Sequence, residues 1–172
     1  MALKAVIIGG GVVGCITAIK LKENGYDVTL VDKSFVGEES SAAGAGIIFP
    51  LMPWNYESRV FDLCLGALSF YKNLSIKLIK AGFEDPEFIE SGMICIDPSD
   101  KKKIVQWGEK NNFTIKEYLF NNRPSYELAK VAQINPTKLM KSLKQYISRL
   151  GIELIENVNM RKIEKKSNYL DG

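Results

Sequence analysis

The 172-residue sequence contains no histidine. This absence excludes a Ser-His-Asp or Cys-His nucleophile pair, a histidine general base and every metal site that requires an imidazole ligand. It also excludes a cofactor that is linked covalently through histidine. Any chemistry that the chain performs must therefore depend on a bound cofactor, on backbone dipoles or on other side chains.

Cysteine is scarce as well, with three residues, Cys15, Cys64 and Cys95, that lie far apart in the chain. No CxxC pair is present, which argues against a zinc or iron–sulfur site and fits a reducing compartment. Cys15 falls in the first turn of a predicted helix, where a helix dipole can lower a thiol pKa, but no resolving cysteine lies nearby. We interpret all three as small buried apolar residues.

A strong charge of one sign and long apolar runs are also lacking. The 23 Lys and Arg residues are interleaved with 20 acids, for a net charge of +3, so no basic face indicates nucleic acid. No stretch reaches the roughly 18 uninterrupted apolar residues of a membrane span. The apolar run 5–19 after Lys4 is similar to a secretory peptide, but it contains four glycines and leads into Lys20, Lys22 and Glu23. We therefore expect a cytoplasmic protein with no membrane span.

The first 32 residues have the pattern of a strand, a helix and a second strand. With 46% hydrophobic residues, the composition is that of a globular protein. Residues 5–8 are β-rich and apolar on both faces, which predicts a strand buried in a parallel sheet between helical layers. Residues 12–23 have apolar side chains at helical spacing and are followed by an Asn-Gly stop. Residues 28–31 predict a second strand, which ends at Asp32.

Three glycines in a GxGxxG arrangement connect the first strand to the helix, and each has a physical task. Gly9 allows the tight turn, Gly11 lets the backbone approach a pyrophosphate, and Gly14 lets helix and strand pack closely. The free N–H groups near Val12 and Val13 face the phosphate charge. A glycine turn without a ligand leaves this combination unexplained, so we predict dinucleotide binding.

Asp32, at the end of the second strand, completes this pattern. Its carboxylate can accept hydrogen bonds from the two ribose hydroxyls of an adenosine. The same charge disfavours NADP, because it would repel the 2′-phosphate. The pattern up to Asp32 is compatible with both an NAD-dependent dehydrogenase and a flavoprotein.

A second cluster of small residues, 40–46, distinguishes these two classes. It consists of serine, alanine and glycine, so backbone and hydroxyl groups can lie against a flat or anionic group. A flexible linker fits poorly, because the apolar residues 47–54 follow directly. An NAD dehydrogenase would continue after Asp32 into another plain βα repeat, and this chain does not. An NAD-dependent dehydrogenase is thus the less favoured alternative.

At these residues the sequence resembles the D-amino-acid-oxidase-like FAD oxidoreductases, and within them the glycine oxidase branch associated with thiamine biosynthesis. The resemblance spans the whole chain. Its most restricted part is the Ser-rich segment that leads to PLMPW, since many flavoproteins share the glycine motif. The matching segments are VIIGGGVVG at 6–14, VDK at 31–33, ESSAAGAGIIFPLMPWNY at 39–56, SGMICID at 91–97 and VAQINPTKLMKSL at 131–143.

The resemblance implies a noncovalently bound FAD and assigns residues to its parts. Asp32 and Lys33 would meet the adenosine ribose, and Ser40 and Ser41 the pyrophosphate. Met160 matches a strand residue that contacts the adenine through its backbone. Three further residues, Ala45, Gly46 and Ile47, would pass beside the flavin ring. The predicted cofactor-binding residues are therefore Gly9, Gly11, Val12, Val13, Gly14, Asp32, Lys33, Ser40, Ser41, Ala45, Gly46, Ile47 and Met160.

The activity that the resemblance implies is oxidation of the α-carbon amine of glycine or a small D-amino acid to an imine. The imine would hydrolyse or feed thiazole synthesis. The implied partners are a small amino-acid substrate and oxygen, and no nucleic acid is expected. Assembly into a homo-oligomer, or with a missing C-terminal half, is also possible by the same resemblance. Arg59 and Arg123 could pair with a substrate carboxylate, but their spacing assigns neither, so the catalytic residues stay unknown. No metal site is expected.

The predicted fold class is α/β, with an FAD-binding Rossmann-like domain on a parallel sheet and part of an inserted α+β substrate domain. We place the first part of the FAD-binding domain at 1–82, the insertion at 83–130 and the return to the FAD-binding domain at 131–172. Members of the family are considerably longer, so we expect the N-terminal portion of a longer oxidase. The alternative is an FAD-binding fragment or split subunit that is inactive without a second half.

The periodicity also predicts the elements beyond the glycine clusters. Apolar residues spaced alternately by four and three predict one long helix over residues 57–81. Asn135 and Pro136 predict the start of another helix, which Gly151 ends. The other expected elements are a helix at 99–111, strands or extended segments at 88–89, 93–96, 113–119, 152–155 and 160–164, and a hairpin turn at 165–172.

Overall fold

The computed structural model describes residues 2–49, 52–64, 66–96, 98–99, 101–160 and 162. Its helices are α1 (Val12–Glu23), α2 (Ser58–Cys64), α3 (Ala67–Lys80), α4 (Lys101–Lys110) and α5 (Pro136–Arg149). Its strands are β1 (Lys4–Ile8), β2 (Asp27–Val31), β3 (Ile47–Ile48), β4 (Met93–Ile96), β5 (Ile115–Phe120), β6 (Arg123–Leu128), β7 (Ala132–Gln133) and β8 (Glu153–Ile155). The chain divides into two compact units, Met1–Ala43 with Leu143–Gly172, and Gly44–Ser142.

The first unit is built on a parallel sheet in the order β1-β2-β8. β1 pairs with β2 from Lys4 opposite Asp27 to Ile8 opposite Val31, and β2 also pairs with β8. α1 connects β1 to β2, because parallel neighbours need a crossover connection. The parallel sheet and its connecting helix confirm the predicted α/β class.

The core of the first unit is formed by β2 and by the inner side of α1, where Cys15 and Ile19 are buried. Burial raises the pKa of the Cys15 thiol to about 12, and the nearby charge of Asp32 adds to the increase. Such a thiol stays protonated and unreactive at neutral pH, which confirms Cys15 as a buried apolar residue. Cys64 and Cys95 are only half-buried, so the prediction of full burial is wrong for these two.

β1 is less buried than its apolar sequence predicts. Val6 and Ile8 keep 59% and 54% of their surface exposed. Within the part of the chain that the structure describes, β1 pairs with β2 alone and no element of the first unit covers the face that carries these two residues. The prediction that residues 5–8 lie between two helical layers is therefore wrong for the described residues.

The second unit contains an antiparallel sheet in the order β4-β6-β5, which lies within residues 83–130. β5 and β6 form a hairpin through Asn121 and Asn122, whose φ angles of 50° and 60° suit a two-residue turn. Ile104 of α4 packs with Tyr126 and Leu128 of β6 in the core of this unit. An antiparallel sheet packed with α4 is an α+β arrangement, the class that the sequence predicts for residues 83–130.

The predicted helix over residues 57–81 is in fact two helices, α2 and α3. Gly66 precedes α3 with a φ of 83°, a left-handed conformation that does not continue an α-helix. Apolar residues keep their helical spacing across this point, so the periodicity does not reveal the break. The prediction of one continuous helix is therefore wrong.

The predicted domain boundaries at residues 83 and 131 differ from the division between the two units, which falls at Gly44 and Leu143. Compact units are not equivalent to the domains of a longer protein, so the predicted domain ranges stay predictions. The predicted strand at 160–164 and the turn at 165–172 lie largely outside the described residues. Among the helices that the structure describes, none combines the length and the apolar character needed to cross a membrane.

Candidate functional site

The glycine turn between β1 and α1 is the first part of the candidate site. Gly9 has a φ of 105°, and its N–H donates to the Val31 carbonyl oxygen at 2.8 Å, which holds the turn against the end of β2. A Cβ atom on Gly14 would lie 1.8 Å from the Gly9 carbonyl oxygen, so no side chain fits there. The geometry of Gly9 and Gly14 thus matches the predicted tight turn and the predicted close packing of helix and strand.

Gly11 leaves room for another part of the chain. A Cβ atom at this residue would lie 2.9 Å from Ser41 Oγ. The Ser41 hydroxyl accepts a hydrogen bond from the Val12 N–H at 2.9 Å. Because the oxygen serves as the acceptor, the hydroxyl proton of Ser41 is left to be donated to another group. Gly11, Val12 and Ser41 therefore lie together, but the Val12 N–H is already used by Ser41, so a phosphate group here would meet the Ser41 hydroxyl and not the Val12 N–H.

The N-terminus of α1 is electropositive. The first turn of the helix contains no Asp or Glu, and Gly11 provides no side-chain cap. The helix dipole and the N–H groups of this turn other than that of Val12, which donates to Ser41, therefore favour an anion at this end. The sequence predicted such an anion site at Val12 and Val13.

Asp32 lies directly after β2, beside the glycine turn. Its Oδ1 accepts hydrogen bonds from the Ser34 N–H at 2.8 Å and from the Ser34 hydroxyl at 3.1 Å, and its Oδ2 accepts one from the Gly10 N–H. Burial alone would raise the pKa of Asp32, but the hydrogen bonds from Ser34 and Gly10 and the charge of Lys33 outweigh it and lower the pKa. Asp32 is therefore a fixed carboxylate that stays charged at neutral pH.

The acceptor capacity of Asp32 limits what it can bind. A carboxylate offers about four lone-pair positions, and three donors from the chain already occupy three of these positions. About one position is left for a ribose hydroxyl in this arrangement, whereas the sequence suggested two. A second ribose contact requires the Ser34 hydroxyl to rotate away.

These groups surround one cleft of about 280 Å³ in the first unit. This volume is near the lower end of the range of small-molecule sites, about 300–1,000 Å³, so the cleft suits part of a dinucleotide. More than half of the predicted cofactor-binding residues line it. These are Gly9, Gly11, Asp32, Lys33, Ser40, Ser41 and Met160.

The cleft also has walls that the sequence analysis did not identify. Phe35, Val158 and Asn159 line it, and the Phe35 and Val158 side chains are 46% and 41% exposed. Phe35 follows Asp32 by three residues, so an aromatic side chain next to an acid predicted to bind a ribose was a usable signal. The sequence offered no such signal for Val158 and Asn159, because these residues come from the far end of the chain. Exposed apolar side chains beside a carboxylate suit a base attached to a ribose.

Six predicted residues do not line the cleft. Val12, Val13 and Gly14 belong to α1 behind the glycine turn, where Gly14 serves packing and Val13 is 76% exposed. Ala45, Gly46 and Ile47 belong to the second unit. Their predicted place beside a flavin ring stays a prediction.

Gly46 has a structural role within the second unit. Its φ is 72°, and a Cβ atom on it would lie 2.0 Å from the Ile134 carbonyl oxygen. The Ile134 N–H donates to the Gly46 carbonyl oxygen at 2.9 Å, beside the pairing of β3 with β7. A close crossing of two backbone segments therefore explains this glycine without any ligand.

The substrate side of the site is not assigned. Arg59 lies in α2 and Arg123 begins β6, and both residues are exposed. Neither position selects one of them as the partner of a substrate carboxylate. Among the described residues, no group of three His, Cys, Asp or Glu side chains could hold a metal ion.

Comparison with known proteins identifies the family. The model of a family described as FAD dependent oxidoreductase matches residues 4–171. The chain belongs to this family. Membership confirms the resemblance that the sequence motifs suggested, and it confirms FAD as the cofactor of the family to which this oxidoreductase belongs.

Individual members of the family support the same conclusion. The chain is 30% identical to the glycine oxidases of Pseudomonas aeruginosa and Pseudomonas putida, over 94% of its own length in each case. The matches cover 48% and 46% of those two relatives. The solved structure of a glycine oxidase from Bacillus cereus superposes with a TM-score of 0.80 at 24% identity, over 98% of this chain and 49% of that one. This oxidoreductase chain thus spans about half the length of the relatives that it matches.

Proposed function

We propose that the chain is the FAD-binding part of an oxidase that converts the α-carbon amine of glycine or a small D-amino acid to an imine. The observation that carries the proposal is the cleft in which Asp32, Ser41 and the N-terminus of α1 lie together. These groups present a carboxylate acceptor, a hydroxyl donor and an electropositive helix end. The first suits a ribose hydroxyl, and the other two suit a pyrophosphate.

Five residues of the cleft have a proposed part in holding the adenosine diphosphate end of FAD. Asp32 accepts from the ribose, with Lys33 beside it. Ser40 and Ser41 donate to the pyrophosphate, which also meets the N–H groups of α1. The backbone at Met160 contacts the adenine. The volume of about 280 Å³ is consistent with this end of the molecule and not with all of it.

The reaction is a two-electron oxidation. When bound, FAD would supply the acceptor for the hydride of the α-carbon C–H bond, the amine nitrogen would release one proton to leave the imine, and oxygen would take up the two electrons to give hydrogen peroxide. The chain contributes binding and orientation, and a sequence without histidine is compatible with that role. The glycine oxidases among the relatives favour glycine or another small amino acid as the substrate. A place in thiazole synthesis for thiamine, and a cytoplasmic location, are further parts of the proposal.

A second candidate is an FAD-binding subunit that turns over only when a second half is supplied. The observation that favours it is the length of the chain, which covers 48% of its relative from Pseudomonas aeruginosa. An NAD-dependent dehydrogenase is not favoured, because the family match over residues 4–171 is to FAD-dependent proteins.

Titration of the purified protein with FAD and, separately, with NAD tests the proposal. We expect isothermal titration calorimetry to show a saturable heat of binding with FAD and none with NAD. A peroxide-coupled assay with glycine and sarcosine is then run on the chain alone, where we expect no turnover, and again after a separately expressed second half is added. Turnover that appears only on this addition favours the split subunit. Preference for NAD over FAD would overturn both candidates.

A further inference from the structure

Lys144 and Glu156 form an ion pair in the first unit that has no part in the proposed cofactor contacts. Lys144 lies in α5 and Glu156 follows β8, and Lys144 Nζ is 2.7 Å from Glu156 Oε1. The two side chains are 37% and 22% exposed. Partial shielding from water distinguishes this pair from an ordinary surface pair, which contributes little. The pair therefore can hold a defined geometry.

Both members of the pair contact the segment that follows Asp32. The Val36 N–H donates to Glu156 Oε1 at 2.7 Å. Lys144 Nζ lies 5.4 Å from the centroid of the Phe35 ring, within the range of a cation–π contact. Burial would raise the pKa of Glu156, but the hydrogen bonds from Lys144 and Val36 outweigh it and lower the pKa. Glu156 is thus a carboxylate held by two donors.

Phe35 and Val36 connect the pair to the cofactor cleft. Phe35 lines the cleft. Val36 is buried against the glycine motif, since a Cβ atom on Gly10 would lie 2.8 Å from Val36 Cγ2. Gly10 in turn donates its N–H to the Asp32 carboxylate. A displacement of Val36 would therefore displace Gly10 and, through the Gly10 N–H, the carboxylate of Asp32 that is proposed to bind the ribose.

Other contacts of this segment are more exposed. Lys33 and Glu39 form a pair at 3.0 Å, but their side chains are 61% and 55% exposed. The Asn157 N–H donates to the Ser34 carbonyl oxygen at a longer 3.3 Å. The bond from Val36 to Glu156 is thus the shortest described contact that joins the segment to the end of β8.

We propose that Lys144 and Glu156 are positioning residues for the cofactor, which fix the Phe35-Val36 segment and thereby the adenosine side of the cleft. Neither lines the cleft, so they act through Phe35, Val36 and Gly10 and do not touch the ligand. The inference rests on the proposed function, because it names residues that position the same FAD site.

The test compares four variants of the full chain. Glu156→Met removes the acceptor of the Val36 N–H, whereas Glu156→Gln keeps an amide oxygen at that place. Lys144→Met removes the cation. The matched control is Glu153→Met, which removes a carboxylate of β8 that accepts from the Thr29 hydroxyl at 2.8 Å and makes no described contact with residues 33–41.

Two measurements are made on each variant. The first is affinity for FAD and for ADP, and the second is hydrogen exchange of the peptide that contains the Val36 amide. We expect Glu156→Met to lower the affinity for both FAD and ADP about tenfold, as for loss of one hydrogen bond to a charged group. We expect a smaller loss for Glu156→Gln and for Lys144→Met, and none for Glu153→Met. Exchange of the Val36 amide should accelerate in the same order.

Distinct results would overturn the inference. If Glu156→Met and Glu153→Met bind FAD and ADP equally well, the pair does not position the cofactor, even if exchange accelerates. If Glu156→Met does not fold, the FAD and ADP affinities of Glu156→Gln and Lys144→Met are compared with those of Glu153→Met. Equal affinities then overturn the inference in the same way. If the parent protein binds neither ligand, the proposed function fails. Exchange alone then decides whether the pair fixes the segment, and unchanged exchange in the Glu156 variants overturns that part too.

Discussion

Asp32 is fixed by the chain before a ligand arrives. Gly10 and Ser34 donate to its two oxygens, so folding has already offset the cost of orienting the carboxylate. Its pKa is lowered in the folded chain from the usual 3.8, despite partial burial, by these hydrogen bonds. A depressed pKa means that the charged group stabilises the fold above pH 3.8 and that this stabilisation is lost as the pH falls through the lower folded value.

Replacement of Asp32 by Ala should weaken FAD binding by about 1 to 3 kcal/mol, the range for a hydrogen bond that involves a charged group. The loss arises because the ribose then lacks its acceptor and Gly10 lacks its partner. Isothermal titration of apoprotein with FAD measures it. The difference should persist from neutral pH down to about pH 5, since Asp32 stays ionised throughout. Equal affinity in both proteins would show that Asp32 only orders the chain.

Replacement of Gly11 by Val should abolish dinucleotide binding with little loss of helix content. A Cβ atom at this position would already lie 2.9 Å from Ser41 Oγ, so the branched side chain displaces Ser41 from Val12. Flavin retention and circular dichroism on the same preparation measure the two effects. Thr17→Ala, on the exposed side of α1, is the control and should bind FAD as the parent chain does. Undiminished retention in the Gly11 variant would contradict the proposed phosphate site.

Two backbone segments of the second unit approach each other closely where Gly46 passes Ile134. β3 pairs with β7 at Ile47 and Ile48, and Gly46 crosses the carbonyl of Ile134 just before α5 begins. Only a residue without Cβ permits this approach, and the positive φ at Gly46 adds a second requirement for glycine. The crossing therefore depends on one residue in a cluster that the sequence analysis assigned to a flavin.

Replacement of Gly46 by Ala should destabilise the fold by several kcal/mol. One contribution is the collision of the new Cβ atom with the Ile134 carbonyl oxygen, and the other is the strain of a left-handed backbone conformation, about 1 kcal/mol. Gly82→Ala is the matched control, because Gly82 also has a positive φ of 80° but has open space around its missing Cβ. Urea unfolding of the three proteins gives the free energies. Equal losses in the two variants would show that strain alone counts and that the crossing tolerates a methyl group.

Over the whole chain, apolar surface is left exposed at β1. Val6 and Ile8 are more than half exposed, and Leu3 beside them is 68% exposed. In the described sheet β1 is also an edge strand, with hydrogen-bonding groups available to another chain. Exposed apolar surface beside an open strand edge favours association.

The isolated 172-residue chain should associate, retain FAD weakly and show no measurable oxidation of glycine or sarcosine. The exposed side of β1 favours self-association, and a cleft of about 280 Å³ holds only part of FAD. Light scattering and a peroxide-coupled assay with added FAD measure these properties. Turnover by a monodisperse monomer would contradict this prediction.

The sequence predicts the local parts of this molecule well. The strand, the glycine turn, α1 and its Asn-Gly end lie where residues 5–25 predict them, and so does the start of α5 at Pro136. These features depend on spacing and on the conformational range of single residues, which are present in the sequence itself. The family could be inferred for the same reason, because its motifs are continuous segments such as residues 39–56.

Contacts between distant segments required the folded chain. Val158 enters the cleft, and Glu156 binds the Val36 N–H across 120 positions, although nothing near either residue indicates a partner. The break before α3 at Gly66 and the exposure of β1 were likewise hidden, since apolar periodicity does not specify what covers a face. Spacing along a chain encodes the conformation of neighbours, whereas burial and long-range hydrogen bonds depend on which segments the fold brings together.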